Sequence, residues 1–429
     1  MKKELTVVAL FFLLPFLPAS CGNREVAEIP EYIDSLTLEQ NIARNAITFR
    51  TNDSFPFLDE VARTKSIIII GEQNHYGPVT RKTRAKMFLY LKKKGVTALA
   101  VEGGTFLACY LISNPDYKEI TEKWDMRAFL YGLPEEDEEI KFIEMIKKQE
   151  IKLFGMDIWI TRYDIEAARA ILEKYSDFKP DINWKQIINI VGYGLRPYTY
   201  ELKNEREYMD VILKIYNFTE LLISKKGANR DLLAVKQWIE NVKSHFYYTK
   251  VKGPYKDSTD AKMRARDTQM AENVIWLHDH FPAKQLVVFC ENGHGMKSTF
   301  QQNTGSFDPL WYDHFQFAGD CLYNKFGNKV YSLAFTALNL QVLGGAGMLE
   351  KEIAAMNSDP PFAFIDFRET RFDLKYRDRE FDSSVNLMAG RAPGRWLNVY
   401  DGIYYIKEEK FDYERWAEHY EKLGGILWR

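Results

Sequence analysis

The sequence predicts an α/β fold: a mostly parallel central sheet flanked by helices, with a long helical insertion. Three observations predict it. Apolar runs of strand length recur along the chain without strict alternation, as in strands covered on both faces of a parallel sheet. Helical patterns separate them, which makes βαβ units. The 429 residues, 46% of them hydrophobic, hold enough apolar material for the core of a large domain.

The expected strands are 66–71 (SIIIIG), 96–104 (VTALAVEGG), 151–159, 285–294 (QLVVFCENGH), 329–338, 362–367 and 400–406. The first five lack clean alternation. A helical pattern follows the first (80–95), another precedes the third (137–150), and a third precedes the fourth, with Ser258 or Thr259 as its cap. Residues 162–281 are helix-rich and far longer than one crossover needs. They are expected to form a helical insertion, a lid or a cleft wall. The domain plan is thus a signal peptide over 1–20, a tether and helix over 21–50, and one α/β domain over 51–429.

Lys2 and Lys3 precede an apolar run, LTVVALFFLLPFLPASC, too short and Pro-broken to span a membrane, which reads as a secretory signal. Its end, Ala19-Ser20-Cys21, resembles a bacterial lipoprotein signal, although Pro18 stands where that pattern prefers Leu. The resemblance implies a lipidated Cys21 and an anchor in a bacterial membrane, at the outer membrane or the periplasmic face. Cys109, Cys290 and Cys321 remain in the mature chain; without CxxC spacing they read as small buried hydrophobes rather than a disulfide framework. With 58 basic and 60 acidic residues, the chain has no electrostatic footprint for nucleic acid. The 25 Tyr, 28 Phe and 9 Trp fit a thick core or an aromatic-lined cleft.

Chemistry collects where the strands end. The first ends at Glu72 and His75, the second at Glu102, the third at Asp157, and the fourth at Glu291 and His294. Ligands of parallel α/β folds bind outside the carboxyl ends of the strands, where loops converge over a rigid scaffold. One acid at one strand end means little; four strands in succession define a site. Asn74, Asp157 and Asn292 are candidate substrate contacts at that edge.

These residues carry a family resemblance. LDEVARTKSIIIIGEQNHYG resembles the start of the erythromycin esterase-like family, a strand followed by G-E-x-x-H-G, matched here by Gly71, Glu72 and His75, with Tyr76 displacing the last glycine to Gly77. VTALAVEGG is similar to its second strand. RARDTQMAEN, followed by a strand and ENGH, resembles its R-D-x-x-M-A-x-N and H-N-x-H segments, and the likeness continues to about Ile406. The resemblance implies a hydrolase that cleaves a carboxylic ester or lactone with water activated by His75. Glu72 or Glu102 would orient the imidazole, Arg84 would meet the oxyanion, and His294 would protonate the leaving group. Glu291 stands where the family has the first histidine of H-N-x-H. No cofactor is implied, and no G-x-S-x-G elbow is present.

Two other readings stay open. Glu72-x-x-His75 and Glu291-x-x-His294, with Glu102, make a carboxylate–imidazole set that suits Zn or Mn, so a metal could activate the water. Alternatively, the exchange at Glu291 marks a ligand-binding lipoprotein that has lost catalysis and kept its cleft.

Overall fold

The computed structural model describes residues 35–73, 75, 77–124, 137–178, 181–185, 187, 205–250, 255–281, 283, 285–298, 316–339, 346–356, 358–368, 379–386 and 390–409. The signal segment, Cys21 and Asn74 lie outside them. Ten strands are present: β1 Ile47–Phe49, β2 Ile67–Ile70, β3 Ala98–Thr105, β4 Lys152–Asp157, β5 Leu286–Phe289, β6 Val330–Ala337, β7 Phe362–Asp366, β8 Phe381–Asn386, β9 Gly390–Gly394 and β10 Gly402–Ile406. The helices are α1 Leu38–Arg44, α2 Leu58–Thr64, α3 Pro78–Lys92, α4 Phe106–Ile112, α5 Lys118–Thr121, α6 Asp137–Lys147 and α7 Arg162–Tyr175. They continue with α8 Glu205–Lys226, α9 Arg230–Lys250, α10 Tyr255–His280, α11 Ala318–Phe326, α12 Met348–Ala354 and α13 Trp396–Val399. Among the described residues no helix is long and apolar enough to cross a membrane.

Eight strands form one sheet in the order β1-β7-β10-β6-β2-β5-β3-β4. The six from β10 to β4 run parallel; β7 and β1 close one edge antiparallel. All four isoleucines of β2 are buried because the strand lies inside the sheet with helices on both faces. The expected α/β fold with its mostly parallel sheet is what forms. Three elements differ from expectation. β1 is a three-residue edge strand, too short for any pattern, and the β8–β9 hairpin is written in a polar segment, FDSSVN. Helix α10 starts at Tyr255, so Ser258 and Thr259 lie inside it; the Gly253-Pro254 pair just before it is the stronger sequence boundary.

The chain passes from β2 to β3 and β4, then returns to insert β5 between β2 and β3. That reversal sets β2, β5, β3 and β4 side by side, and it opens the crevice at which parallel sheets bind ligands. Strands β3 and β4 approach closely at their carboxyl ends, where the register shifts between Val101 and Thr105. A Cβ on Gly155 would lie 2.2 Å from the carbonyl oxygen of Gly104, a backbone atom that cannot swing aside. Gly155→Ala is therefore expected to destabilise the fold by at least about 2 kcal/mol, the scale of overpacking in a tight core, read as a lower urea midpoint with an unchanged slope.

Candidate active site

Strand order converts scattered sequence positions into one constellation. At the carboxyl ends of the adjacent strands β2, β5, β3 and β4 stand Glu72, Glu291, Glu102 and Asp157: the first two follow their strands, Glu102 lies in the carboxyl-terminal half of β3 and Asp157 closes β4. Gly71 makes the first turn possible: its amide donates to the Leu333 carbonyl at 2.8 Å, and a Cβ there would meet Asn292 Oδ1 at 2.2 Å. The irregular register at Glu102 re-aims that side chain off the ladder, as bulges do beside sites.

Helix α3 supplies the cations. Its first amides, on Val79 and Thr80, donate to the Glu409 carboxylate at 3.1 and 2.7 Å, so a residue far along the chain anchors the helix start. Arg81 and Arg84, one turn apart, share its buried inner face. Arg84 donates to Glu72 Oε2 and lies over the Phe289 ring. The other Glu72 oxygen is 2.8 Å from His75 Nδ1. His75, Glu72 and Glu102 line a small cavity of about 60 Å³ with Arg81, Arg84 and Phe289.

A second layer lies behind. Arg266, on α10, forks onto both oxygens of Asp157 at 3.0 and 2.7 Å and donates to Glu102 at 3.0 Å, with its guanidinium over Trp159. The adjacent Asp267 lies 2.6 Å from His294 Nδ1, and His294 Nε2 is 3.3 Å from Glu102. The remaining Glu102 oxygen accepts the Glu291 amide at 2.7 Å. Helix α10 is locked in register by Asn273, which donates to the Met156 carbonyl.

Electrostatics follow. Burial works against a charge on His75, but the hydrogen bond it donates to Glu72 and the charges of Glu102, Glu72 and Glu291 outweigh it, so its pKa is pushed up to about 9. Burial likewise opposes ionisation of Glu72, yet Arg84 and His75 hold its carboxyl below the usual range. Burial opposes charge on both Glu102 and His294; His294 chiefly lowers Glu102, and the charges of Asp267 and then Glu102 raise His294. Burial raises Glu291, and the charge on Glu102 adds to that. Burial also raises Asp157 despite Arg266.

The structure thus brings together Glu72, His75, Arg84, Glu102, Asp157, Glu291 and His294, and it separates their roles. His294 does not line the cavity. Both its ring nitrogens face acids inside the protein, and Nε2 also lies 3.3 Å from Arg266 Nη1. Asp157 is fully buried and spent on Arg266. Asn292 is also fully buried: it donates to the Phe335 and Val385 carbonyls at 2.7 Å each and accepts from the Phe335 amide at 3.0 Å. Its amide ties β5 to β6 and β8, with both N–H donors used inside the protein. Arg266, in the segment that resembles the family's R-D-x-x-M-A-x-N, is in contact with the site acids. Arg81, one turn before Arg84 in the charge-rich TRKTRAK, competes in the sequence for the same role; Glu409 carries no signal.

The erythromycin esterase family profile matches residues 91–362, which include Glu102, Asp157, Arg266, Glu291 and His294. The chain belongs to the erythromycin esterase family. The matched span begins after the Glu72–His75 segment, whose place in the site rests on the geometry above. No curated protein sequence matches the chain. Among solved structures, a Bacillus cereus protein superposes with a TM-score of 0.63 at 16% identity, over 87% of this chain and 98% of that one. A succinoglycan biosynthesis protein gives 0.60 at 16%, over 87% and 98%. A histidine-to-asparagine mutant of the erythromycin esterase EreC, in its open conformation, gives 0.61 at 14%, over 86% and 98%. All three share the fold of this erythromycin esterase family member.

Proposed function

We propose that this protein hydrolyses a carboxylic ester or lactone with water activated by His75, and that lipidation of Cys21 holds it to a bacterial membrane. One observation carries the hydrolytic reading: His75 Nδ1 sits 2.8 Å from Glu72 at the wall of a cavity it shares with Arg81 and Arg84. Glu72 fixes the ring's orientation and tautomer, leaving Nε2 as the basic nitrogen. Water gives its proton to Nε2 and its oxygen attacks the carbonyl carbon. The negative charge that develops on the carbonyl oxygen is met by the fixed guanidinium of Arg81 or Arg84, already desolvated and in place. The imidazolium then returns the proton to the departing alkoxide.

The raised pKa of His75 makes this scheme testable by pH. Below about 9 the ring is mostly imidazolium and cannot accept a proton. Over a panel of aryl esters, simple lactones and a macrocyclic lactone, kcat/KM should climb roughly tenfold per pH unit from neutrality and level off near pH 9. Glu291 is one of the carboxylates that raise His75. Glu291→Gln should therefore start the plateau at lower pH and increase the rate at neutrality. A rate that is flat from pH 6 to 10 in both proteins would remove His75 as the base.

One observation favours a second reading. One ligand atom from each of His75, Glu102 and Glu291 lies within 4.8 Å of the others, and the Glu291 carboxylate, 7% exposed, makes no hydrogen bond or ion pair among the described residues. An imidazole with two carboxylates is a donor set for Zn or Mn, and Glu72 on Nδ1 is the outer partner such a histidine takes. These three residues would hold the ion, which supplies Lewis acidity and a more acidic bound water. Activity lost on dialysis against EDTA and restored by Zn or Mn would select this reading; activity indifferent to EDTA would select the metal-free one.

A further inference from the structure

A second, larger cavity of about 520 Å³ opens at the opposite edge of the sheet, within the size range of small-molecule sites. Lys152 begins β4 and Ala98 begins β3, whereas Asp157 and Glu102, at the far ends of these strands, belong to the active site. The two cavities share no lining residue: Ala98 lines the second, and Leu99, Val101 and Glu102 line the first. Along α10, Arg266 at the active site and Phe281 beside the second cavity stand roughly 20 Å apart. The second cavity belongs to neither the hydrolytic constellation nor its walls.

Its walls combine apolar rings with a charge imbalance. Phe281, Tyr175 and Pro115 supply apolar surface, with Tyr110 and Phe154 buried behind them. Asp231 lies at the base, but both its oxygens are already occupied: Tyr110 and Asn114 donate to one at 2.5 and 3.1 Å, and Tyr117 and Tyr175 to the other at 2.6 and 2.9 Å. Lys174 lies 3.4 Å from Asp231 and 2.9 Å from Asp116, the other lining acid, so both acids have an internal cation. The two lining cations have none. Lys152 donates to the Ser113 carbonyl at 3.0 Å and to the Gln149 side-chain oxygen at 2.6 Å, with no carboxylate in reach among the described residues. Arg230 is exposed and stacks 5.0 Å from the Phe281 ring, likewise without an acid. The tyrosines around Asp231 stay protonated, since burial and that carboxylate both raise them, so they add no negative charge.

We propose that this cavity binds a small monoanion with an apolar body, an aryl or short alkyl carboxylate, whose acid group pairs with Lys152 and Arg230 while its body lies against Phe281, Tyr175 and Pro115. Burial without a counter-charge already lowers the Lys152 pKa, and an anion would relieve that cost.

The test is isothermal titration of the purified full-length protein with benzoate, hexanoate and inorganic phosphate, in wild type, Lys152→Met, Arg230→Ala and His75→Ala. Saturable benzoate binding at one site is expected, at least tenfold weaker in Lys152→Met and in Arg230→Ala, unchanged in His75→Ala, and absent for phosphate. Both surface-edge variants should keep the wild-type melting temperature and ester hydrolysis, which shows that they fold. Three results would overturn the proposal: no saturation by either carboxylate, binding lost in His75→Ala but kept in Lys152→Met, or phosphate binding as well as benzoate with the same Lys152 dependence. The second would assign the anion to the active site; the third would remove the apolar body from the recognition.

Discussion

Replacing His75 by alanine is expected to lower kcat/KM for ester hydrolysis by about a hundred- to ten-thousand-fold, the range a positioned general base contributes. The loss should fall on kcat, because the imidazole acts on water and not on the resting substrate. Two controls separate this role from a structural one. Added imidazole should restore part of the rate in His75→Ala, by entering the space the side chain leaves beside Glu72, and should do nothing for a Glu72→Ala,His75→Ala double variant. The wild-type rise of rate toward pH 9 should also vanish in His75→Ala, since no group with that raised pKa remains to be deprotonated. A variant that keeps the full rate and the full pH profile would end the His75 scheme. Loss without imidazole rescue, combined with loss of EDTA sensitivity, would instead point to His75 as a metal ligand beside Glu102 and Glu291.

Much of this arrangement was legible in the sequence, and its gaps have physical causes. The buried parallel strands announced themselves because a strand covered on both faces must be continuously apolar, and SIIIIG and QLVVFC admit little else. The strand ends were legible for the same reason: Glu72, Glu102, Asp157 and Glu291 each interrupt an apolar run abruptly. Strand order was not. Nothing local in QLVVFCENGH says that β5 inserts between β2 and β3, yet this insertion brings Glu291 against Glu102. Roles were less legible than positions. A sequence shows that Asn292 and His294 follow a buried strand, but it does not show that the Asn292 amide is consumed by Phe335 and Val385, or that His294 faces Asp267. Arg266 and Asp267 are the clearest case. Two adjacent charges on a helix project about 100° apart, so they reach different partners, and only packing against β3, β4 and the β5 end tells which.

Those partners make Arg266 the position where a single substitution should cost most stability. Arg266→Ala is expected to destabilise the protein by about 3–5 kcal/mol, the usual cost of stripping one partner from a buried ion network. Asp157 is fully buried and has its Arg266 contacts as its side-chain cation; Glu102 would lose one cation and keep His294 and His75. Arg266→Lys should recover part of the loss, because an ammonium keeps the charge but cannot fork onto both Asp157 oxygens while reaching Glu102. The deficit should depend on pH in a definite direction. Burial already raises Asp157, and Arg266 counteracts that rise; without the guanidinium its folded pKa moves further above the unfolded value. A carboxyl raised in the folded state binds a proton that the unfolded chain releases, so the variant is favoured at low pH and loses stability as pH climbs from the unfolded pKa through the raised folded one. Urea unfolding at pH 5 and pH 8 should therefore show a wider gap between wild type and Arg266→Ala at pH 8. A gap equal at both, or below about 1 kcal/mol, would mean that water or rearranged side chains satisfy Asp157 and Glu102, and that the second layer behind the site is softer than its hydrogen bonds indicate.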